Sequence, residues 1–341
     1  MVKAEIITYL QGCKKITVKL LYVNKKLFIV EIYNMEYYFK VLFDDIGERV
    51  DVYLSKKLGR SRQYCKFLIE SKQVSLCDVN NSIKPSYHVK LDDNIYVKIP
   101  EEKAFELKSQ PIEVNIIFEN SRYFVINKTS GLVVHPAYGN YDNTLVNALL
   151  GKLSQGFSSE DIRPGIIHRL DKDTSGVMVV AKDALAKDKL AALFKSRLIK
   201  KIYHAICFGE PKDDFFVINA PIARHPKLRK LMAVVTNGKE AISEVKVRKR
   251  YKGAFLAEIE LKTGRTHQIR VHMKYAGHPV VGDKVYSVKG SLDFPIERQA
   301  LHAYSLEFID PFSGELKTFI AEYQKDFLNL INLLTVKSKI Y

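Results

Sequence analysis

A polar turn followed at once by an apolar run constrains this chain more than any other feature. Residues 167–176 (Ile-His-Arg-Leu-Asp-Lys-Asp-Thr-Ser-Gly) place Asp171 between the cations Arg169 and Lys172. The next four residues, Val-Met-Val-Val, are typical of a buried strand. A turn that leads into a buried strand can present one carboxylate to a ligand from a rigid sheet. A merely structural turn explains the glycine and serine but not a carboxylate bracketed by cations.

The charge of the chain favours a polyanionic partner. The 341 residues are long enough for two domains, and 47% hydrophobic with 27% charged residues is typical of a globular protein. The net charge is +16, and Lys and Arg bind nucleic acid by releasing condensed counterions from phosphates. A basic membrane-surface protein would carry an amphipathic anchor or a lipidation signal, which the N-terminus lacks. A charge excess that serves only solubility stays an alternative.

Cysteine usage and hydropathy indicate a cytoplasmic protein. The four cysteines form no Cys-x-x-Cys pair, so neither a disulfide framework nor a zinc site is predicted. No apolar run approaches the roughly 20 residues that a membrane span needs. Residues 20–43 are rich in apolar side chains but are interrupted by charges and lack a cleavage site, so they do not predict a signal peptide. We therefore expect no metal, no cofactor and no membrane partner.

Composition and periodicity divide the chain into four parts. Residues 1–45 are an N-terminal extension of unknown role, in which Met35 opens a strand-like segment and is a candidate for an alternative or true start. Residues 46–100 predict a compact basic unit. Residues 101–113 are charged, contain a proline near their end and predict a linker. Residues 114–341 predict the larger domain.

The basic unit carries three cations at the start of a predicted helix. Ser61 is the expected N-cap, and Arg60, Arg62 and Lys66 lie close together at the start of the helix. Cations there oppose the helix dipole, so a phosphate partner is a reasonable compensation. Two short helices followed by strands resemble the alpha-L RNA-binding module, which implies that these three residues contact RNA. A plain basic small domain is the alternative.

The larger domain shows both helical and strand periods. Strands are predicted at 114–118, 123–127, 202–208 and 255–261, and a closing helix at 327–334. A helix over 183–199 is capped by Asp183 and buries an apolar face that extends to Leu198.

A second motif lies at residues 261–273 (Leu-Lys-Thr-Gly-Arg-Thr-His-Gln-Ile-Arg-Val-His-Met). Gly264 allows a tight turn after a strand, and Thr266 is the expected cap of the next helix. Arg270 is then directed from the first helical turn, and with Arg265 it could otherwise belong to a solvated face.

These motifs resemble the ribosomal large-subunit pseudouridine synthases. The pattern His-Arg-Leu-Asp-x-x-Thr-Ser-Gly is similar to the catalytic loop of that family, and the Lys-Ile-Tyr of residues 201–203 and the second motif follow in the family's order. The resemblance spans about residues 46–323 and is closest to the D-type branch through the basic loop 220–230. It implies an α+β fold: a catalytic domain with mixed, mainly antiparallel sheets, plus a small N-terminal alpha-L RNA-binding module.

The resemblance also implies a reaction and its residues. Uridines in RNA, most closely large-subunit ribosomal RNA, would be isomerised to pseudouridine. Asp171 is the expected catalytic carboxylate, acting by addition to C1′ or by removal of the 2′ proton. Asp173 is its rival and is interpreted as structural. Arg270 is expected to pair with Asp171, which favours the charged form of the carboxylate, and Tyr203 to stack on the free uracil and reach the C5 proton.

Further residues are expected to contact RNA. Reaction at C1′ requires the nucleotide to be flipped out, and Arg169 is expected to fill the vacated stack. Arg265 and His267 would support the loop or the RNA, and Arg224 belongs to a basic loop interpreted as an RNA clamp, with a solvated loop as the alternative. The expected partner of the enzyme that these motifs imply is ribosomal RNA or a pre-ribosomal particle, and the protein is expected to be monomeric.

Other functions fit the sequence less well. An RNA-binding protein without catalysis would not keep the carboxylate, its arginine and the tyrosine together. A methyltransferase would carry a glycine-rich cofactor loop after its first strand, and the sequence has none. A base-excising glycosylase is chemically closer. The mass of treated RNA separates the three, because isomerisation leaves it unchanged.

Overall fold

The computed structural model describes two units, 1–106 and 107–341, each considered separately. The described residues are 3–11, 14–23, 26–77, 79–99, 107–136, 142–153, 157, 161, 163–228 and 231–338. The division falls within the segment predicted as a linker, of which residues 101–106 lie outside the described residues. Two residues of the basic loop, 229 and 230, also lie outside them. In the described part, no helix is long and apolar enough to cross a bilayer.

The first unit combines a six-stranded sheet with two helices. Its elements are β1 (Lys3–Gln11), β2 (Lys14–Val23), β3 (Lys26–Lys40), α1 (Val50–Leu58), α2 (Arg62–Glu70), β4 (Val74–Leu76), β5 (Val79–Ser82) and β6 (Asn94–Ile99), with a 3-10 turn at Phe43–Asp45. The strand order is β1-β2-β3-β6-β4-β5, and neighbouring strands are antiparallel. The strand expected to open at Met35 begins at Lys26 instead, and Met35 pairs with Ile99.

The helices of this unit form as the sequence predicts. The Ser61 hydroxyl accepts a hydrogen bond from the Tyr64 amide (3.2 Å), and α2 buries Cys65, Leu68 and Ile69 on one face. The assignment of the unit as an alpha-L module stays a prediction.

The cations near α2 have partners within the unit. Arg62 Nε donates to the buried carboxylate of Asp51 in α1 (2.9 Å), so its charge is compensated without a phosphate. Burial raises the pKa of Asp51, but hydrogen bonds from Arg49 and Arg62 outweigh it, and the net pKa is lowered. The Arg60 guanidinium lies 5.7 Å from the Tyr64 ring centroid. Arg60 is therefore better placed than Arg62 to meet an external anion.

The second unit is built on one large sheet. Its elements are β7 (Asn115–Glu119), β8 (Tyr123–Lys128), α3 (Leu145–Leu149), β9 (Ser175–Ala181), α4 (Ala184–Lys195), β10 (Lys200–Phe208), β11 (Phe215–Asn219), β12 (Ile222–Arg224), β13 (Met232–Val234), β14 (Ile242–Tyr251), β15 (Ala254–Leu261), α5 (Gln268–Tyr275), β16 (Leu301–Ile309), β17 (Leu316–Ile320) and α6 (Lys325–Lys337), with a 3-10 turn at Leu150–Lys152. The sheet order is β11-β14-β15-β10-β16-β9-β8-β7, and β17 also pairs with β16. A separate ribbon pairs β12 with β13.

Strand direction confirms the expected α+β class. Neighbouring strands of the large sheet are antiparallel except for β9 and β16, which are parallel. Strand β9 is buried along its whole length, as the apolar run after the motif predicts, and so is its neighbour β8. They lie at the centre of one of the two main apolar cores of this unit.

The glycine that closes the first motif is required by close packing of strands. Gly176 has φ +120°, and a Cβ built there would lie 2.2 Å from the carbonyl oxygen of Ala303 in β16. Any larger residue would push β9 and β16 apart.

One predicted helix ends earlier than expected. The Asp183 carboxylate caps α4 by accepting from the Ala186 amide (2.8 Å), and Leu190 is buried as predicted. The helix ends at Lys195, however, and Arg197 turns the chain with φ +59°. The prediction that Leu198 belongs to the buried face was wrong, because it lies beyond this turn and is 65% exposed.

Candidate active site

Asp171 lies in the turn that precedes β9 and is positioned through the backbone of that turn. Its carbonyl accepts a hydrogen bond from the Thr174 amide (3.1 Å). The ammonium of Lys128, at the end of β8, is buried and donates to the Lys172 carbonyl (2.9 Å) and to two carbonyls of the loop that follows β8. Three donors meeting three carbonyls fix the residue next to Asp171. The role of Lys128 was not predicted from the sequence.

The first half of the motif is anchored by a neutral histidine. Burial, and secondly the charge of Lys201, lowers the pKa of His168 to about 3. Its Nε2 atom accepts a hydrogen bond from the Val179 amide (3.0 Å), and its ring stacks on Phe194 at 4.4 Å. His168 therefore ties the turn to β9 as a structural residue.

A buried arginine holds the carboxylate of Asp171. Arg270 Nη1 donates to Asp171 Oδ2 (2.9 Å), so the expected contact between the two motifs is present. The other two nitrogens of the guanidinium bind Asp283 bidentately, Nε to Oδ2 (2.7 Å) and Nη2 to Oδ1 (2.9 Å). Burial lowers the pKa of Arg270, but Asp283 and then Asp171 outweigh it and raise the net pKa. The arginine is thus a fixed cation between two carboxylates.

Asp283 is a site residue that the motifs did not reveal. Its side chain is fully buried, and Oδ1 also accepts from the amides of Val285 and Tyr286 (2.9 and 3.1 Å). A single acidic residue directly after the apolar stretch 279–282 (Pro-Val-Val-Gly) could have indicated a buried charge that needs a partner.

The start of α5 differs from the prediction. The N-cap is His267, in a left-handed conformation (φ 56°), and the Gln268 side chain accepts hydrogen bonds from the Arg265 amide (2.9 Å) and the Thr263 hydroxyl (2.9 Å). The prediction that Thr266 caps the helix was wrong, because Gln268 binds the polar groups of the turn instead. The Thr266 hydroxyl accepts from Arg169 Nη2 (3.1 Å), which tethers the exposed Arg169 to the rim of the site.

One cavity is lined by predicted site residues from both motifs and from β10. The cavity has a volume of about 530 Å³ and includes Asp171, Tyr203 and His267. Its lining also contains six basic side chains, which are Arg169, Lys195, Arg197, Lys201, Lys262 and Arg265. A volume in the range of ligand sites, about 300–1,000 Å³, with one carboxylate among many cations suits a polyanion that reacts at a single point.

A second cavity opens on the other side of Asp171. It has a volume of about 790 Å³ and is lined by Asp171, Asp173, Lys284 and Arg298, among others. Arg298 is almost completely buried, forms an ion pair with Asp326, and donates from Nη1 to the Asp173 carbonyl (3.2 Å). Two buried basic side chains, Lys128 and Arg298, therefore bind the backbone of the turn, and Asp171 lines both cavities.

Tyr203 reaches the first cavity from β10. Burial, and secondly the charge of Asp171, raises the pKa of its hydroxyl well above the usual value. The hydroxyl is therefore protonated at neutral pH. Its ring packs partly against both main apolar cores, which fixes its position.

The remaining expected site residues lie elsewhere. Arg224 ends β12 and is exposed, and it is not among the described residues that line either cavity beside Asp171. Arg60, Arg62 and Lys66 belong to the first unit. In the described ranges, no cluster of three or more His, Cys, Asp or Glu side chains could hold a metal ion.

Comparisons with known proteins point to one family. The family model described as RNA pseudouridylate synthase matches residues 122–275, which include the turn of Asp171, Tyr203 and Arg270. An uncharacterized RNA pseudouridine synthase of Synechocystis is 41% identical over 84% of this chain and 89% of its own. The ribosomal large subunit pseudouridine synthase D of Zymomonas mobilis is 43% identical over 86% of this chain and 96% of its own.

A solved structure shares the fold. Human RNA pseudouridylate synthase domain containing 1 superposes with a TM-score of 0.52 and 26% identity, over 63% of this chain and 85% of that one.

Proposed function

Because the chain belongs to the RNA pseudouridylate synthase family and is therefore an isomerase that acts on RNA, we propose that it modifies uridines of large-subunit ribosomal RNA with Asp171 as the reacting group. Relatives named ribosomal large subunit pseudouridine synthase D, in Zymomonas mobilis and Neisseria meningitidis, support the substrate. The observation that carries the role of Asp171 is its 2.9 Å contact with buried Arg270 at the junction of two cavities.

The reaction exchanges two bonds of one nucleotide. The bond between uracil N1 and ribose C1′ breaks, and its electron pair stays with the uracil. The Asp171 carboxylate either adds to C1′ or removes the 2′ proton, and both routes leave a detached uracil in the cavity. The ring then turns, C5 bonds to C1′, and the carboxylate or the 2′ carbon is restored. The proton lost at C5 balances the one gained at N1, so the mass does not change.

Arg270 and Tyr203 have complementary tasks. Asp283 binds the Nε and Nη2 atoms of Arg270 and so holds the guanidinium beside Asp171, which keeps the carboxylate in one orientation. Tyr203 enters the reaction with its hydroxyl protonated, since its pKa is raised. It therefore acts as a relay in which its oxygen receives the C5 proton while its own proton passes to uracil N1, and its ring offers a stacking surface for the free uracil.

The substrate uridine must leave its stack before C1′ can approach Asp171. Base flipping is the general solution for enzymes that act on nucleotides within RNA helices. Arg169 is exposed at the rim of the cavity and donates a hydrogen bond to the Thr266 hydroxyl. Its planar guanidinium can occupy the gap that the flipped base leaves. The cations of the cavity wall then bind the neighbouring phosphates.

Substitution of Asp171 tests the proposal. Asp171→Ala should lower turnover on ribosomal RNA by about 10⁴-fold or more while RNA affinity is kept, as measured by tritium release from 5-tritiated uridine and by filter binding. Asp173→Ala is the matched control, since it removes a carboxylate from the same turn and should keep activity. Turnover by Asp171→Ala at the rate of the control would refute the role of Asp171.

The substrate is tested separately. Uridine isomerisation is mapped across total RNA from cells with and without the gene. Sites that disappear in large-subunit ribosomal RNA support the proposed substrate, and sites lost only from transfer RNA contradict it. The mass of the treated RNA also excludes a glycosylase if no base is released.

A further inference from the structure

We infer that the Tyr286 hydroxyl is a positioning group that couples the ribbon of β12 and β13 to the tautomer of His267, and through it to Asp171. The inference rests on the proposed role of Asp171. It assigns a task to a buried hydroxyl that belongs to neither sequence motif.

Tyr286 is buried at the meeting point of three elements. It is 3% exposed and packs in a small apolar cluster with Ile222 of β12 and Val271 of α5. Its hydroxyl oxygen lies 2.9 Å from the amide nitrogen of Met232 in β13 and 2.8 Å from Nδ1 of His267. Its ring centroid lies 5.0 Å from the Arg270 guanidinium. One side chain thus contacts the ribbon, the N-cap of α5 and the cation that holds Asp171.

The hydrogen-bond directions select one tautomer of His267. Among the described residues, the Tyr286 hydroxyl forms hydrogen bonds with the Met232 amide, which can only donate, and with His267 Nδ1. Its buried hydrogen therefore has an acceptor when Nδ1 of His267 is unprotonated. A neutral imidazole that accepts at Nδ1 carries its proton on Nε2. Nε2 lies 3.9 Å from Asp171 Oδ2, so His267 directs an N–H group toward the reacting carboxylate.

The same hydrogen bond keeps His267 neutral. The charged and titratable groups that face its ring are Asp171, Asp283, Arg169, Arg270 and Tyr286. Burial lowers the pKa of His267, Asp171 opposes that effect, and Arg270 adds to it. A hydrogen bond donated to Nδ1 is available only to the neutral ring, so it favours the neutral form. Without it, the ring gains a proton more easily, and a cationic His267 competes with ribose for the Asp171 carboxylate.

The ribbon is the part of this network that RNA can reach. Strand β12 ends at exposed Arg224, and the described part of the following loop carries exposed Lys227 beside half-buried His225. Strand β13 supplies the Met232 amide that orients the Tyr286 hydroxyl. RNA bound along the ribbon therefore stabilises the hydrogen bond from the Met232 amide to Tyr286. Through that bond it also stabilises the His267 tautomer that faces Asp171.

The test is Tyr286→Phe in the full-length protein, with Tyr123→Phe as the matched control. Both substitutions remove one hydroxyl from a buried tyrosine. The Tyr123 hydroxyl donates to Asp310 (2.6 Å), and Tyr123 does not line either cavity beside Asp171. The first readout is the nitrogen chemical shift of the His267 ring across pH, assigned by comparison with His267→Gln. Tyr286→Phe should raise the pKa of His267 by about one and reduce the population protonated on Nε2.

The second readout is turnover against pH. Tyr286→Phe should lower kcat about two- to tenfold with little change in KM, and should move the acidic limb of the profile to higher pH. Tyr123→Phe should change neither. An unchanged pKa and tautomer of His267 in Tyr286→Phe, or equal changes in both variants, would overturn the inference. Failure of the proposed function is recognised separately, since it requires turnover by Asp171→Ala.

Discussion

Asp283 is the residue whose substitution most directly tests how the guanidinium beside Asp171 is held. Its fully buried carboxylate accepts two hydrogen bonds from Arg270, at 2.7 and 2.9 Å. In Asp283→Asn the side chain keeps its size and one carbonyl oxygen, so the amides of Val285 and Tyr286 keep an acceptor. The negative charge is lost, however, and the buried cation retains only Asp171.

The loss in free energy of unfolding depends on the contacts that Arg270 keeps. Breaking a buried ion pair from one side costs about 3–5 kcal/mol, because the other charge stays buried without its partner. Arg270 still donates to Asp171, whose side chain is 28% exposed, and we therefore expect the lower end, about 3 kcal/mol. For a unit of this size the melting temperature should fall by about 6–12 °C. Turnover of the folded protein should fall as well, since the arginine is no longer held from two sides.

The matched control is Asp310→Asn. Asp310 is also buried in a turn, but it accepts from neutral donors, the Tyr123 hydroxyl (2.6 Å) and the Phe312 amide (2.9 Å). Its substitution should cost about 1–2 kcal/mol and leave turnover unchanged. Urea unfolding and tritium release measure both effects. If Asp283→Asn is no less stable than the control and equally active, then Asp283 does not hold Arg270 as described.

Three further predictions address strand packing, pH and RNA affinity. Gly176→Ala should lower the melting temperature far more than Gly314→Ala. Both glycines have positive φ (120° and 76°), but a Cβ at Gly176 would clash with the Ala303 backbone, whereas a Cβ at Gly314 has nothing within 4 Å. Gly314→Ala should therefore cost only the backbone strain, about 1–2 kcal/mol. Burial lowers the pKa of His302 to about 4, so below pH 6.5 the unfolded chain binds a proton that the folded chain does not. The free energy of unfolding should therefore fall between pH 6.5 and 4, and urea titrations should show a smaller fall for His302→Gln; an equal fall would contradict this cause. Arg60→Gln should weaken RNA binding and reduce the slope of log affinity against log salt by about 0.7–0.9, and an unchanged slope in filter binding would exclude a phosphate contact.

The sequence predicted the parts of the site that lie within short motifs. The turn of Asp171 and the helix of Arg270 each carry a local signal, and their contact across 99 positions follows from the order of motifs in the family. Asp283 was missed because the apolar stretch before it indicates at most a buried charge and does not identify its partner, Arg270, which lies 13 positions earlier. The cap at Thr266 was wrong because the helix begins at Gln268 with His267 as its N-cap, and the Gln268 side chain binds the Arg265 amide and the Thr263 hydroxyl of the preceding turn. Local propensity cannot rank two such competitors, because the choice depends on how the preceding strand places the turn.

The groups that fix the reacting carboxylate are separate from those that meet RNA. Lys128 and Arg298 are buried and bind backbone carbonyls of the turn, and Arg270 binds the side chain of Asp171. Arg169 and Arg265, two cations of the cavity wall, are more exposed than the buried Lys128, Arg298 and Arg270. Geometry at C1′ and choice of RNA are therefore carried by different residues. If Asp171 is the reacting group as proposed, we expect substitution of a wall cation such as Arg265 to change RNA affinity and leave the hydrogen bonds of the turn intact.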